Sequence, residues 1–86
     1  MTYRVELDRR ARKGLDLLRG PAYVRAREAL RALAEDPRPE GSVKLRGSPN
    51  AYRIRVGVYR IVYVIDDDLK SVTVLAVQHR KDVYRE

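Results

Sequence analysis

The feature that most constrains the fold of this chain is the stretch at residues 51–66, AYRIRVGVYRIVYVID, which reads as two strands joined at a glycine. In its first half, apolar side chains alternate with arginines: Tyr52, Ile54 and Val56 against Arg53 and Arg55. Successive side chains of a strand point to opposite faces, so this period of two predicts one buried face and one open face that carries both arginines. We therefore predict strands over 51–56 and 58–65, paired antiparallel because the connection at Gly57 is so short.

The second strand of this pair contains one cation, Arg60, among apolar residues. A strand that is apolar at nearly every position is typical of the centre of a sheet covered on both faces. Arginine is almost never fully buried unless it is paired, so Arg60 needs a partner. Our interpretation is that Arg60 converges with Arg53 and Arg55 on a phosphate, which a guanidinium group binds in bidentate geometry. The alternatives are an ordinary solvent-exposed face for Arg53 and Arg55 and a structural ion pair for Arg60.

Two amphipathic helices are predicted between an N-terminal strand at residues 2–7 and the basic strands. Asp8 is a candidate N-cap for the first helix, and the pair at residues 20–21, Gly-Pro, separates it from the second. The second helix ends before Pro37, because proline removes a backbone donor and disfavours helix in the preceding residue. Apolar residues recur at helical spacing in two stripes: Leu7, Ala11, Leu15 and Leu18, then Tyr23, Ala26, Leu30 and Leu33.

The order of elements predicts an α+β fold. It consists of an N-terminal strand, an antiparallel two-helix hairpin and a mainly antiparallel sheet of about four strands, with the helices on one face. Further strands are predicted over 43–45 and 71–77. The 86 residues are expected to form one domain, 1–86, because the chain is too short for a second core.

Composition excludes several classes of protein. The chain has no cysteine, which excludes disulfides and thiolate metal sites. No apolar run approaches the ~18 residues of a transmembrane helix, and the N-terminus lacks the apolar core of a signal peptide. We therefore expect a cytoplasmic protein with no membrane partner.

The net charge of +7, from 19 Lys and Arg against 12 Asp and Glu, favours a nucleic acid or an acidic protein as partner. A GC-rich genome, which encodes arginine in place of lysine, is the alternative explanation of the arginine excess. The positive charge is concentrated, because residues 41–65 contain no acidic residue. The cations of this segment are Lys44, Arg46, Arg53, Arg55 and Arg60.

The side chains suited to chemistry form a basic and aromatic set: Arg53, Arg55, Arg60, His79, Arg80 and Tyr84. No His and carboxylate set has metal-ligand spacing, and the aspartates at 66–68 are typical of a hairpin turn, so we expect neither a metal nor a cofactor. RNA cleavage needs neither, because the 2′-hydroxyl can attack the neighbouring phosphate. The protein must hold that phosphate in line, stabilise the added charge and move two protons. Arginines suit the first two tasks, and a terminal tyrosine suits stacking on a base.

Four motifs stand in order along the chain: KLRG at 44–47, YRIR at 52–55, YRIVY at 59–63 and HRKDVY at 79–84. Together they resemble the RelE branch of the RelE/ParE toxin superfamily. The resemblance implies a RelE-like, microbial ribonuclease-like fold and a toxin of a type II toxin–antitoxin system, whose partner is a RelB-like antitoxin. RelE-type members enter the ribosomal A site and cut mRNA, which leaves a 2′,3′-cyclic phosphate and a 5′-hydroxyl. ParE-type members keep the fold, lack the catalytic set and poison DNA gyrase.

The resemblance also implies roles for single residues. Arg60 matches the arginine assigned to transition-state stabilisation, and Arg80 matches the one proposed to protonate or stabilise the leaving 5′-oxygen. Tyr84 matches the C-terminal tyrosine that stacks on an mRNA base. Arg53 and Arg55 stand where the best-known members have lysines, one of which is the proposed general base. Arginine stays protonated in proteins, so both are expected to bind phosphate and neither to act as the base.

His79 is the candidate for the missing base, because histidine has an unperturbed pKa of about 6.5 and exchanges protons at neutral pH. A base supplied by the ribosome is the alternative. The remaining candidates for binding RNA phosphates are Lys44, Arg46 and Lys81.

Taken together, these residues predict a metal-independent endoribonuclease whose further partners are the ribosome and mRNA. A ParE-like gyrase inhibitor without nuclease activity and a basic RNA-binding module are the alternatives. The enzyme needs Arg60, Arg80 and Tyr84 together, whereas neither alternative needs any of them.

Overall fold

The fold is an α+β arrangement seen in a computed structural model that describes residues 2–83, with side chains as far as Lys81. In chain order the elements are β1 (Arg4–Leu7), α1 (Arg9–Asp16), α2 (Gly20–Glu35), β2 (Val43–Lys44), β3 (Ala51–Val56), β4 (Tyr59–Asp66), β5 (Ser71–His79) and α3 (Arg80–Val83). The strands form one sheet in the order β1-β5-β4-β3-β2, antiparallel except for the parallel pair of β1 and β5. The predicted fold class is confirmed, with the N-terminal strand as a parallel edge of the sheet. No helix within residues 2–83 has the length and apolar character needed to cross a membrane.

The hydrophobic core lies between the sheet and the two long helices, α1 and α2. Their predicted stripes supply six of its buried residues: Ala11, Leu15, Leu18, Ala26, Leu30 and Leu33. The sheet supplies Ile54, Ile61, Tyr63, Ile65, Val72, Val74 and Val77. Asp8 caps α1 as predicted, because its carboxylate accepts a hydrogen bond of 2.9 Å from the Ala11 N–H.

β4 is central in the sheet, but the helices cover only one of its faces. Ile61, Tyr63 and Ile65 are buried on the helix side, whereas Val62 and Val64 are half-buried on the other side. β4 is therefore apolar without being covered on both faces, and the predicted position of the helices on one face of the sheet is confirmed. We call the uncovered side the open face.

α1 packs very close to β5 at Gly14. A Cβ atom at this position would overlap the backbone oxygen of Val77. The close approach therefore requires glycine, although glycine in a helix interior is about 1 kcal/mol less favourable than alanine.

A cluster of polar side chains links distant segments of the chain at the end of the sheet away from the β3–β4 turn. Arg38 forms an ion pair with Asp67 at 2.9 Å and donates a hydrogen bond of 3.1 Å to the Tyr52 hydroxyl. The Tyr3 hydroxyl donates to Asp67 at 2.6 Å. The hydrogen bonds from Arg38, and next from Tyr3, lower the pKa of Asp67 to about 2. The cluster thus joins the segment after α2 to both the N-terminal segment and the β4–β5 turn.

Candidate nucleic-acid interface

Two arginines lie opposite each other on the open face. Arg55 pairs with Arg60 in the register of β3 and β4, and Arg60 pairs with Gln78 in the register of β4 and β5. Their neighbours along the strands are buried in the core: Ile54, Ile61 and Val77. Since successive side chains point to opposite faces, the row of Arg55, Arg60 and Gln78 lies on the open face.

Arg80 reaches the same place from the end of β5. Its backbone N–H donates to the carbonyl of Val58 at 2.8 Å, which holds the start of α3 against the β3–β4 turn. Gly57 permits this turn with a φ of +62°, in the left-handed region that favours glycine. The depression formed here is lined by Arg55, Gly57, Val58, Tyr59, Arg60 and Arg80. Three arginines, from β3, β4 and α3, therefore line one depression.

The three arginines of this depression differ from other arginines of the fold in their partners. Within residues 2–81 none of their side chains forms an ion pair or hydrogen bond, whereas elsewhere Arg4 pairs with Glu6 and Arg38 with Asp67. The structural ion pair considered for Arg60 is thus absent from the described part of the chain. Arg60 is half-buried, and a charge partly removed from water interacts more strongly with a phosphate than an exposed one does.

This arrangement suits a phosphodiester. Guanidinium groups only donate hydrogen bonds, and their planar fork matches two phosphate oxygens. Donors fixed in place by strands need little reorganisation as negative charge develops on the phosphate, which is the basis of electrostatic transition-state stabilisation. Across residues 2–83 the structure contains no group of three His, Cys, Asp or Glu residues able to hold a metal ion.

Arg53 lies on the same face as Arg55, two positions along β3. It is half-buried and pairs with Val62 of β4 and Val43 of β2. Arg53 therefore lies beside the row of Arg55, Arg60 and Gln78.

Lys44 and Arg46 lie apart from the arginine row. Lys44 pairs with Tyr52, whose ring stacks on the core residue Tyr63 with centroids 6.2 Å apart. Lys44 therefore faces the helix side of the sheet. A separate pocket in the loop after β2 is lined by Lys44, Leu45, Arg46, Gly47, Ser48 and Pro49. Lys81 is exposed on α3, next to Arg80.

His79 is not brought together with Arg60. It pairs with Tyr59 in the register of β4 and β5, and the two rings meet edge to face with centroids 5.3 Å apart. Its Nδ1 accepts a hydrogen bond of 3.1 Å from the Lys81 N–H. The assignment of His79 as the base stays a prediction, although β5 continues to His79 and its ring lies against Tyr59 on the helix side. Tyr84 lies outside the described residues.

Sequence reasoning did not single out Gln78. The predicted last strand stopped at Val77, whereas β5 continues to His79. That extension brings Gln78 into register with Arg60. An isolated glutamine after a strand carries no signal of its own, so only the register could have identified it.

A family model described as the ParE toxin of the type II toxin–antitoxin system parDE matches residues 5–84. The chain belongs to this toxin family. Toxin RelG of Mycobacterium tuberculosis is 34% identical to it over 86 residues, which cover 99% of each chain. The mRNA interferase toxin RelE of Escherichia coli is 34% identical over 90 residues, which cover 100% of this chain and 94% of the relative. The resemblance to the RelE/ParE toxins is thereby confirmed.

Solved structures of RelE proteins share the fold of this toxin. The archaeal RelE–RelB complex from Pyrococcus horikoshii has a TM-score of 0.82 at 32% identity, over 93% of this chain and 97% of that one. The intact E. coli RelBE toxin–antitoxin complex has a TM-score of 0.78 at 33% identity, over 90% of this chain and 95% of that one. The toxin therefore has the RelE-like fold that its motifs predicted.

Proposed function

We propose that this toxin is a ribosome-dependent endoribonuclease, which cuts mRNA in the ribosomal A site and so inhibits translation. The observation that carries the proposal is the convergence of Arg55, Arg60 and Arg80 on one depression, with no acidic partner among the described residues. The name of the E. coli relative, mRNA interferase, supports the same activity.

The reaction begins with attack of an mRNA 2′-oxygen on the adjacent phosphorus. The bond from phosphorus to the 5′-oxygen breaks, which leaves a 2′,3′-cyclic phosphate and a 5′-hydroxyl. Arg55 and Arg60 bind the non-bridging oxygens and stabilise the negative charge of the pentacovalent transition state. Arg80, at the rim of the depression, stabilises the leaving 5′-oxygen as it gains a proton. Tyr84 stacks on a base and positions the codon.

The proton of the 2′-hydroxyl must go to a base. Arg55 and Arg60 stay protonated in proteins and do not serve. His79 lies on the helix side of the sheet, where Tyr59 and the Lys81 N–H contact its ring. We therefore assign the base to a group of the ribosome, which also accounts for a dependence of cleavage on the ribosome.

The other cations bind RNA away from the scissile bond. Arg53 binds a neighbouring mRNA phosphate, since it shares the open face with Arg55. Lys44 at the end of β2, Arg46 on the loop after β2, and Lys81 on α3 bind further RNA phosphates. Such contacts contribute affinity without sequence information and weaken as salt rises.

A RelB-like antitoxin is the proposed protein partner, and the cytoplasm, where mRNA is translated, is the proposed location. The RelE chains of the P. horikoshii and E. coli structures are bound to RelB or form RelBE complexes, which supports this assignment. An exposed set of arginines attracts an acidic or amphipathic segment, which neutralises the toxin by covering them or displacing the end of the chain.

Induction in bacteria tests the proposal. Wild-type protein and the Arg60→Met variant are expressed from the same promoter, and mRNA 5′ ends are mapped across the transcriptome. The wild type is expected to produce new ends inside translated codons, and the variant is expected to produce none. Intact mRNA in growth-arrested wild-type cells contradicts the proposal.

A second candidate function is ParE-like poisoning of DNA gyrase. The observation that favours it is the match to a family model named for ParE. It predicts double-strand DNA breaks with intact mRNA in the same induction experiment. It also predicts that Arg60→Met remains toxic, because this mechanism does not require an arginine at a scissile phosphate.

A further inference from the structure

The row on the open face contains one residue that is not a cation, Gln78. It pairs with Arg60 and lies on the side of β4 away from Arg55. β1 pairs with β5 only as far as Val74, so within residues 2–83 no neighbouring strand continues the row beyond Gln78. Gln78 is half-buried.

The direction of the Gln78 side chain follows from its two neighbours. Val77 is buried in the core, and the His79 ring contacts Tyr59 on the helix side. The side chain between them therefore points to the open face, as Arg60 does. Paired residues of antiparallel strands have Cβ atoms about 4.5–5.5 Å apart, so the Gln78 amide is within reach of a nucleotide bound by the Arg60 guanidinium.

The two arginines of the row lack a hydrogen-bond acceptor, which the Gln78 amide supplies. Arginine side chains donate hydrogen bonds and accept none, so Arg55 and Arg60 match the acceptor oxygens of a phosphate. An RNA sugar also presents a donor, the 2′-hydroxyl, which needs an acceptor. Gln78 has a carbonyl oxygen, and within the described part of the chain its amide makes no hydrogen bond to the protein.

We propose that Gln78 contacts the substrate: its carbonyl oxygen accepts a hydrogen bond from the 2′-hydroxyl beside the phosphate held by Arg60. This inference rests on the proposed function and deepens it. The contact orients the 2′-oxygen toward phosphorus and makes the site select RNA over DNA, because the 2′-hydroxyl is what distinguishes the two at a given nucleotide. An amide does not take up the proton. As the 2′-oxygen attacks phosphorus, the hydroxyl hydrogen therefore turns from the Gln78 oxygen to the ribosomal base, which removes it.

The test uses ribosomes programmed with two mRNAs that differ only at the sugar of the cleaved nucleotide. One carries a 2′-amino group, which keeps an N–H donor, and the other carries 2′-fluorine, which has no donor. Both are used as inhibitors of the cleavage of unmodified, labelled mRNA, and their inhibition constants are compared. The wild type is expected to bind the amino form about two- to tenfold more tightly, the range of one hydrogen bond between neutral groups.

Four variants test whether the tighter binding of the 2′-amino mRNA depends on Gln78. Gln78→Leu has no acceptor and is expected to bind both inhibitors equally, and Gln78→Ala serves as a second acceptor-free variant should leucine impair folding. Gln78→Glu keeps an acceptor and is expected to keep the preference. Thr73→Val, on the same face near the other end of β5, is the matched control and is expected to keep it as well.

A general disturbance of the fold would weaken both inhibitors together and leave their ratio unchanged. The inference is overturned if the acceptor-free variants keep the wild-type preference, or if wild-type protein that cleaves unmodified mRNA shows no preference. If wild-type protein leaves mRNA on programmed ribosomes intact, the proposed function fails and this inference fails with it.

Discussion

Arg55 and Arg60 lie directly opposite each other on neighbouring strands, on the face of the sheet that the helices leave open. Like charges in this position oppose each other, and no acidic side chain within residues 2–81 pairs with either. Such an arrangement lowers the stability of the free protein. An anion placed between the two guanidinium groups would offset this repulsion.

Arg60→Met is therefore expected to separate stability from activity. Removing one of two opposed charges should raise the free energy of unfolding by about 0.2–1 kcal/mol at low salt, with a smaller gain at high salt. Cleavage on programmed ribosomes should fall at least about 100-fold, as when one preorganised donor is lost from a charged transition state. Urea unfolding and single-turnover cleavage measure the two effects. A destabilised variant with full activity contradicts the account.

His79→Gln is expected to cleave mRNA within about threefold of the wild-type rate, well short of the 10²–10⁴-fold that general acid–base catalysis contributes. The reason is that His79 packs against Tyr59 on the helix side, and glutamine can still accept the hydrogen bond from the Lys81 N–H. The measurement is the cleavage rate from pH 6 to pH 8. A loss of 100-fold or more, together with a changed pH profile, would assign the proton transfer to His79.

Gly14→Ala is expected to destabilise the protein although alanine favours helix. The propensity gain is about 1 kcal/mol, whereas the new methyl group would overlap the Val77 backbone oxygen and force α1 away from β5. Overpacking of this kind costs about 1–3 kcal/mol, so the net change should be a loss. Thermal unfolding measures it, with the exposed neighbour Lys13→Ala as the control within about 0.5 kcal/mol of wild type. An increased melting temperature for the Gly14 variant would show that α1 shifts freely.

Asp67 is expected to make stability depend on pH in acid. Its pKa is lowered to about 2 by the hydrogen bonds from Arg38 and then Tyr3, against about 3.9 in an unfolded chain. Its contribution is thus complete above about pH 4 and disappears as pH falls through about 2. The difference in stability between wild type and Asp67→Asn should shrink over that range, and it should also shrink with salt because both partners are partly exposed.

The matched control for this titration is Asp68→Asn, which removes a carboxylate from the same turn that forms no ion pair with Arg38. This variant should keep the ion pair between Arg38 and Asp67. A constant difference between wild type and Asp67→Asn from pH 6 to pH 2 would show that the ion pair does not form in solution.

Local sequence patterns predicted most of the fold, because the periods of helix and strand and the helix caps are local properties. The predicted strand over 51–56 has the bounds of β3, and Asp8 caps α1 as expected. The parallel pairing of β1 with β5 and the contact at Gly14 could not be predicted, because both depend on residues more than 60 positions apart in the chain.

Part of the site could likewise be predicted from local sequence alone. Arg55 and Arg60 lie on either side of the turn of one hairpin. The two-residue turn fixes which residues of the two strands are paired. The faces on which His79 and Gln78 lie depend on where β5 ends. A shift of one position along a strand moves a side chain to the opposite face. Because β5 extends two residues beyond its predicted end, Gln78 lies on the open face beside Arg60 and His79 lies on the helix side.

The most direct test of the account is cleavage by the purified toxin on ribosomes programmed with a defined mRNA, with the ends of the products analysed chemically. The account predicts a cut within the A-site codon, a 2′,3′-cyclic phosphate and a 5′-hydroxyl with the wild type, and intact mRNA with Arg60→Met. Intact mRNA with the wild type, or equal cleavage by both proteins, would contradict the claim that the opposed arginines hold the scissile phosphate.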